Sequence, residues 1–293
     1  MKFHEKRRSR DSGVAEIQAG NARWWTDNTM SYDWSDAIRS ERFSAAHFAE
    51  MDRRFIHGAR LFAHGDAPFD RIIPFSALSG RDVLEIGCGM GLHSELMARA
   101  GARLTAIDIS ETSVEATQRR FALAGLGADI RRMDAGALAF PDESFDFVWS
   151  WGVIHHSAAT AAILREIARV LRPGGEVRFM VYNIDGMSAY AALMRDYLVG
   201  FWRGRTLDEC LWGRSDGFMA RHYSKDSLGD LARLFFDDLR IDTFGQDADA
   251  IPLPRRLRSI VLRLAPEAKI ARMANARGSF LFVTARKPRA IAD

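Results

Sequence analysis

Residues 83–91 read Val-Leu-Glu-Ile-Gly-Cys-Gly-Met-Gly. Glycines at alternate positions, Gly87, Gly89 and Gly91, follow an apolar run of strand type, and a helix-like segment, Leu92 to Arg99, comes next. Glycine lets a backbone turn tightly and lets a ligand approach it closely. Strand, glycine loop and helix form a nucleotide cradle at the carboxyl end of a sheet strand. The spacing narrows the ligand. A dinucleotide fingerprint needs G-x-G-x-x-G. Here the third glycine comes one residue early and Leu92 follows, which disfavours an NAD(P) oxidoreductase. Glu85, two residues before Gly87, would repel a pyrophosphate and helps organise a site for a cation.

With its downstream acids, this segment resembles the first motif of class I S-adenosylmethionine (SAM) methyltransferases. The matches run from Val83 to Phe179, about a third of the chain, and look most like the bacterial small-molecule branch. The resemblance implies SAM as cofactor, S-adenosylhomocysteine as product and no metal. It implies that Asp108, 17 residues after Gly91, accepts from the ribose hydroxyls. Asp134 would accept from the adenine amino group, and the next backbone N–H, at Ala135, would donate to the ring. The end of the fourth strand, running into Trp151-Gly152-Val153-Ile154-His155-His156, would contact the methionine part. The expected cofactor set is thus Glu85, Gly87, Cys88, Gly89, Gly91, Asp108, Ile109, Asp134, Ala135, Trp151 and Gly152.

His155 and His156 stand beside the transfer site in sequence, so either could take a proton from a hydroxyl acceptor. A thioether acceptor would need no base. No HxxxH or HExxH spacing is present, and adjacent histidines chelate poorly. Aromatic faces attract sulfonium cations, which draws Trp25 and Tyr32 into the acceptor set. Tyr182 and Asn183 end strand five, and His222 and Tyr223 precede a helix start at Ser224; these four complete it.

The elements that position these residues follow from periodicity. Strands are expected at 82–86, 103–107, 129–132, 145–150, 176–182, 239–244 and 279–285. Helices are expected at 92–100, 111–124 and 158–172, with Ser110 and Ser157 as N-caps. Arg172-Pro173-Gly174-Gly175 reads as the turn that stops the last of these. The fold class is α/β: a seven-stranded, mostly parallel, doubly wound sheet with an antiparallel last strand. Residues 1–80 read as a helical N-terminal extension and 81–293 as the SAM-binding domain, with a helical cap inserted at about 183–235. The basic stretch 255–277 reads as a solvated helix face, with a membrane-surface or RNA-binding helix as the alternatives.

Composition sets the outer bounds. The 293 residues are 47% hydrophobic and 27% charged, an ordinary globular balance, and the net charge of +3 does not by itself imply nucleic acid. Two cysteines, Cys88 and Cys210, cannot build a disulfide scaffold, which points to a reducing compartment. No apolar run approaches membrane-spanning length, and the charged N-terminus lacks a signal core, so a cytoplasmic location is expected. The expected partner is a small-molecule acceptor, without nucleic acid; a homodimer is compatible with the chain. The alternatives are a methyltransferase acting on RNA or protein and a non-catalytic SAM-binding partner subunit.

Overall fold

The computed structural model describes residues 13–30, 37–198, 204 and 206–288. Tyr32 lies outside the described residues. Two helices come first, α1 (Val14–Asp27) and α2 (Ala45–Ala63). Then β1 (Asp82–Ile86), α3 (Leu92–Arg99), β2 (Arg103–Asp108), α4 (Glu111–Ala124), β3 (Asp129–Arg132), β4 (Phe145–Trp151), α5 (Thr160–Val170) and β5 (Leu171–Asn183) follow. Helix α6 (Met187–Ala192), prolonged by a π turn, and α7 (Leu207–Arg214) come next. The chain continues through β6 (His222–Tyr223), α8 (Lys225–Ala232) and β7 (Asp237–Phe244). A short helical turn, Asp247–Ala250, leads to α9 (Arg255–Leu264), α10 (Glu267–Ala276) and β8 (Phe280–Arg286).

The sheet order is β3-β2-β1-β4-β5-β8-β7. Strands β3, β2, β1, β4 and β5 are parallel neighbours, while β8 is antiparallel to both β5 and β7. All seven expected strands are present. The eighth, β6, is two residues long and runs parallel to β5 through Tyr182↔His222 and Asn183↔Tyr223. Two residues carry no readable alternation, so the sequence does not announce it.

Burial on both faces explains the nearly continuous apolar strands. Leu84, Ile86, Val148 and Phe179 point into the core shared with α5 and α8, while Val83, Leu104, Phe147 and Trp149 point into the core on the other face. Ser110 caps α4 as expected, accepting from the Ser113 N–H at 3.2 Å. Ser157 does not cap α5. The chain leaves β4 at Gly152 with φ +73°, makes a single turn at Ile154–His156, and Ser157 Oγ accepts from the Ala159 N–H ahead of a helix that starts at Thr160. Arg172–Gly175 is a bulge inside β5 rather than a break: Phe145 pairs with Leu171, and the next partner of β5, Phe147, pairs with Glu176.

The segment expected as one insertion, 183–235, divides in two. Ala189, Ala192 and Leu211 form a small cluster of their own, whereas Leu228 of α8 and Phe236 join the main core. Helix α2 is clamped to α4 by Arg120, only 3% exposed, which reaches Asp52 at 2.5 and 3.0 Å and Glu95 at 3.0 Å. Removing one partner of such a buried pair costs about 3–5 kcal/mol, because the other charge is left uncompensated.

Candidate functional site

The carboxyl ends of β1, β2 and β4 open onto one cavity of about 340 Å³, closed over by α1 and α2. At its floor the chain turns from β1 into α3 through three glycines in the left-handed region, with φ of +81°, +54° and +77° at Gly87, Gly89 and Gly91. A Cβ on Gly87 would lie 2.1 Å from Val153 Cγ2, so the turn passes directly against the segment after β4. A Cβ on Gly89 would meet nothing within 4 Å, so a ligand can rest on that part of the backbone.

Asp108 ends β2 and holds the turn. Its Oδ2 accepts from the Gly89 N–H at 3.0 Å and its Oδ1 from the Ser110 N–H at 2.9 Å. The Ile109 backbone and the Ser113 side chain also hydrogen-bond this carboxyl group. Burial raises the Asp108 pKa, and the backbone donors partly oppose that rise. Glu85 is 2% exposed, hydrogen-bonded by Ser94 Oγ, and burial pushes its carboxyl up to about 8. The Cys88 thiol is likewise pushed well up by burial, so it is an inert lining group. Asp134 accepts on Oδ1 from Gln18 Nε2 at 3.0 Å and from the Gly136 N–H at 2.8 Å. Ile109, Ala135 and Gly152 line the same cavity. All eleven expected cofactor positions therefore face one space. Open backbone at Gly89 beside the Asp108 and Asp134 carboxyl groups fits the shape and the cationic charge of SAM.

Trp151 belongs to a second wall. Its ring stacks on Phe62 of α2 at 5.7 Å and on Trp149 at 5.9 Å, and Phe280 flanks it at 6.4 Å. Met51, Phe55, Met180 and Tyr182 extend this apolar surface. The sequence reads only as a helical extension over residues 1–80; that the Met51-Phe55-Gly58-Phe62 face of α2 borders a cavity is not legible from it.

The two histidines part company. His155 is fully buried, does not line the cavity, and lies 4.0 Å from the Tyr182 ring. Burial, and then its neighbours His156 and His222, hold its pKa well below the usual imidazole range. It is a core histidine, which removes it from the set that can reach an acceptor. His156 does line the cavity. Its Nδ1 lies 2.6 Å from the Met219 carbonyl oxygen, which only accepts, so Nδ1 carries the proton and Nε2 is the basic nitrogen. Asn21 of α1 donates to the His156 carbonyl at 2.7 Å, and the Trp25 ring meets the imidazole edge-on at 5.0 Å.

Of the other expected acceptor contacts, Trp25 and Tyr182 line the cavity. Asn183 does not: its Nδ2 donates to the Gly278 carbonyl at 2.8 Å and ties β5 to the approach of β8. Tyr223 hydrogen-bonds Thr160 at 2.8 Å and packs against the core, and His222 sits behind Tyr182 with rings 5.4 Å apart. Sequence reading missed Gln18, Asn21, His93, Gln246 and Phe280, which also line the space. For His93 a signal existed, its place two residues after Gly91. Trp149 Nε1 donates to its Nδ1 at 3.2 Å, so Nε2 bears the proton, and it finds no partner among the described residues. Burial drives the His93 pKa down to about 3. Among the described residues no group of three or more His, Cys, Asp or Glu could hold a metal ion.

Residues 84–179 match the model of a methyltransferase domain. The ubiquinone biosynthesis O-methyltransferase of Parvibaculum lavamentivorans is 33% identical over 67% of this chain and 72% of its own length. The protein of the same name from Stutzerimonas stutzeri is 34% identical over 42% of this chain and 54% of its own, so that match spans about half of the relative. Among solved structures, a chain of the complex between the Haloferax volcanii Trm112 methyltransferase activator and a methyltransferase superposes with a TM-score of 0.53. It is 19% identical and covers 85% of this chain and 96% of that one, a likeness of fold.

Proposed function

We propose that this chain, which belongs to the class I SAM-dependent methyltransferases, methylates an oxygen of a small, flat, apolar acceptor in the cytoplasm and leaves S-adenosylhomocysteine. The observation that carries the reading is the pairing, in one cavity, of the Gly87–Gly91 turn and Asp108 with the Phe62–Trp151 aromatic wall. The names of the 33–34% identical relatives support oxygen as the acceptor atom.

The bound cofactor supplies a methyl group already activated by its sulfonium. The protein's part is to hold, to orient and to exclude water. Asp108 takes the ribose hydroxyls, Asp134 the adenine edge, and the Gly89 backbone the adjoining chain. Phe62 and Trp151 stack on one another with ring centroids 5.7 Å apart and form one apolar wall, against which a planar ring packs. His93 Nε2–H, buried without a partner, gains a hydrogen bond when an acceptor oxygen meets it; such an orphan otherwise costs about 1–3 kcal/mol. His156 Nε2 takes the proton that the hydroxyl gives up.

The test uses methyl-labelled SAM, the purified protein and a panel of phenols and aliphatic alcohols. Label is expected in an aromatic ether. His156→Ala is expected to lower kcat by about 100-fold or more and to leave the SAM Kd unchanged. Label confined to RNA or protein sinks the small-molecule reading, and an unaltered kcat removes His156 as the base.

A further inference from the structure

Helix α9 carries an apolar stripe that no described residue covers. Leu257, Ile260, Val261 and Leu264 recur at i, i+3, i+4 and i+7, the spacing of one helix face. They are 54%, 55%, 38% and 81% exposed. The helix is anchored by its other side: Leu262 packs on the cluster of Leu61, Ala250, Ile251, Ile270 and Ala274. At about 100° per residue, Leu262 lies roughly opposite the stripe, so the apolar face points away from the body. Arg256 and Arg263 fall along one flank of the stripe and Arg258 along the other.

The charge around the stripe is one-sided. From Arg255 to Ala276 the sequence holds six basic residues and a single acid, Glu267. Arg256, Arg258, Arg263, Lys269 and Arg272 make no ion pair among the described residues. Leu253 and Met273 add exposed apolar surface beside them, at 43% and 44%. A solvated helix face would not put its leucines outward. A nucleic-acid surface would leave four aliphatic side chains against phosphates. An apolar wedge flanked by cations matches an anionic lipid surface: the stripe enters the headgroup–acyl boundary, and the guanidinium groups meet lipid phosphates.

We propose that α9 docks the protein on anionic membrane surfaces as a peripheral, in-plane helix. No described helix is long and apolar enough to cross a bilayer, so the attachment is interfacial. The docking unit is coupled to the cavity through the fold. Leu61 of α2 packs in the same cluster that seats α9, and Phe55, Gly58 and Phe62 of α2 line the cavity. Gln246, just before the helical turn that leads to α9, lines it too.

The test is flotation of the full chain with vesicles of phosphatidylcholine alone and of phosphatidylcholine with about 30% phosphatidylglycerol, which supplies a negative surface potential. Binding is expected only to the anionic vesicles and is expected to fall as salt is raised. The double variant L257E/L264E alters two exposed positions, so it should fold, checked by an unchanged thermal melt and SAM Kd. It is expected to lose binding by about tenfold or more, and R256Q/R263Q to weaken it by about the same factor at low salt. The proposal is overturned if wild type ignores anionic vesicles or the variants bind as well as wild type. It is also overturned if the stripe mutation splits a dimer without vesicle binding, which makes the stripe a subunit contact, or if binding is to RNA. Because SAM affinity is read separately, failure here and failure of the catalytic reading are distinct results.

Discussion

Glu85 shows how one buried carboxyl shapes the site. Its folded pKa of about 8 stands above the ordinary value of 4.5, mainly through burial. Between those values the folded protein keeps a proton that the unfolded chain has released, so stability falls as pH rises, by up to about 1.4 kcal/mol per unit. His93 and His155 have lowered pKa values and act with the opposite sign below about 6.5, the ordinary imidazole value. The clean window is therefore pH 6.5 to 8. There the thermal midpoint of wild type is expected to drop with pH more steeply than that of Glu85→Gln. Parallel melting curves would show that the proton is not held at this residue.

At the scale of elements, the β1–α3 turn separates folding from binding. Gly87 and Gly89 both have positive φ, but only Gly87 is crowded, by Val153. Gly87→Ala is expected to lose about 2 kcal/mol or more of stability, from left-handed strain plus overlap. Gly89→Ala is expected to lose only about 1 kcal/mol, while its methyl group intrudes where a ligand rests and weakens SAM binding by about tenfold. Thermal melts and calorimetric titration of the pair check this; equal melting losses would refute the division. The turn was readable because its chemistry is local: glycine spacing and an acid one helix and one strand later. The seven long strands were readable for the same reason. The acceptor wall was not. Phe62, Trp151 and Phe280 come from three distant segments, and only the packing of α2 on the sheet brings them within 6.4 Å. His155 misled because sequence adjacency to His156 says nothing about which ring turns into the core.

Across the whole molecule, α1 closes the site from outside the sheet. Gln18 reaches Asp134, Asn21 reaches the His156 carbonyl, and the Trp25 and Thr26 carbonyls accept from Ser110 and Thr112. Three of α1's fourteen residues are buried, Ile17, Gly20 and Asn21, so its hold depends on these few contacts. Amide exchange in α1 is expected to slow when S-adenosylhomocysteine is saturating, with β1, β4 and β5 unchanged; exchange in α1 indifferent to the ligand would show that it is not part of the site. Glu85 lines the chamber that α1 covers, and below pH 8 its carboxyl holds a proton. A cationic ligand seated beside it is expected to release that proton to the buffer, whereas its neutral counterpart leaves it in place. The heat of loading is then expected to vary with the ionisation enthalpy of the buffer; a heat indifferent to the buffer would show that the ligand's charge does not reach Glu85.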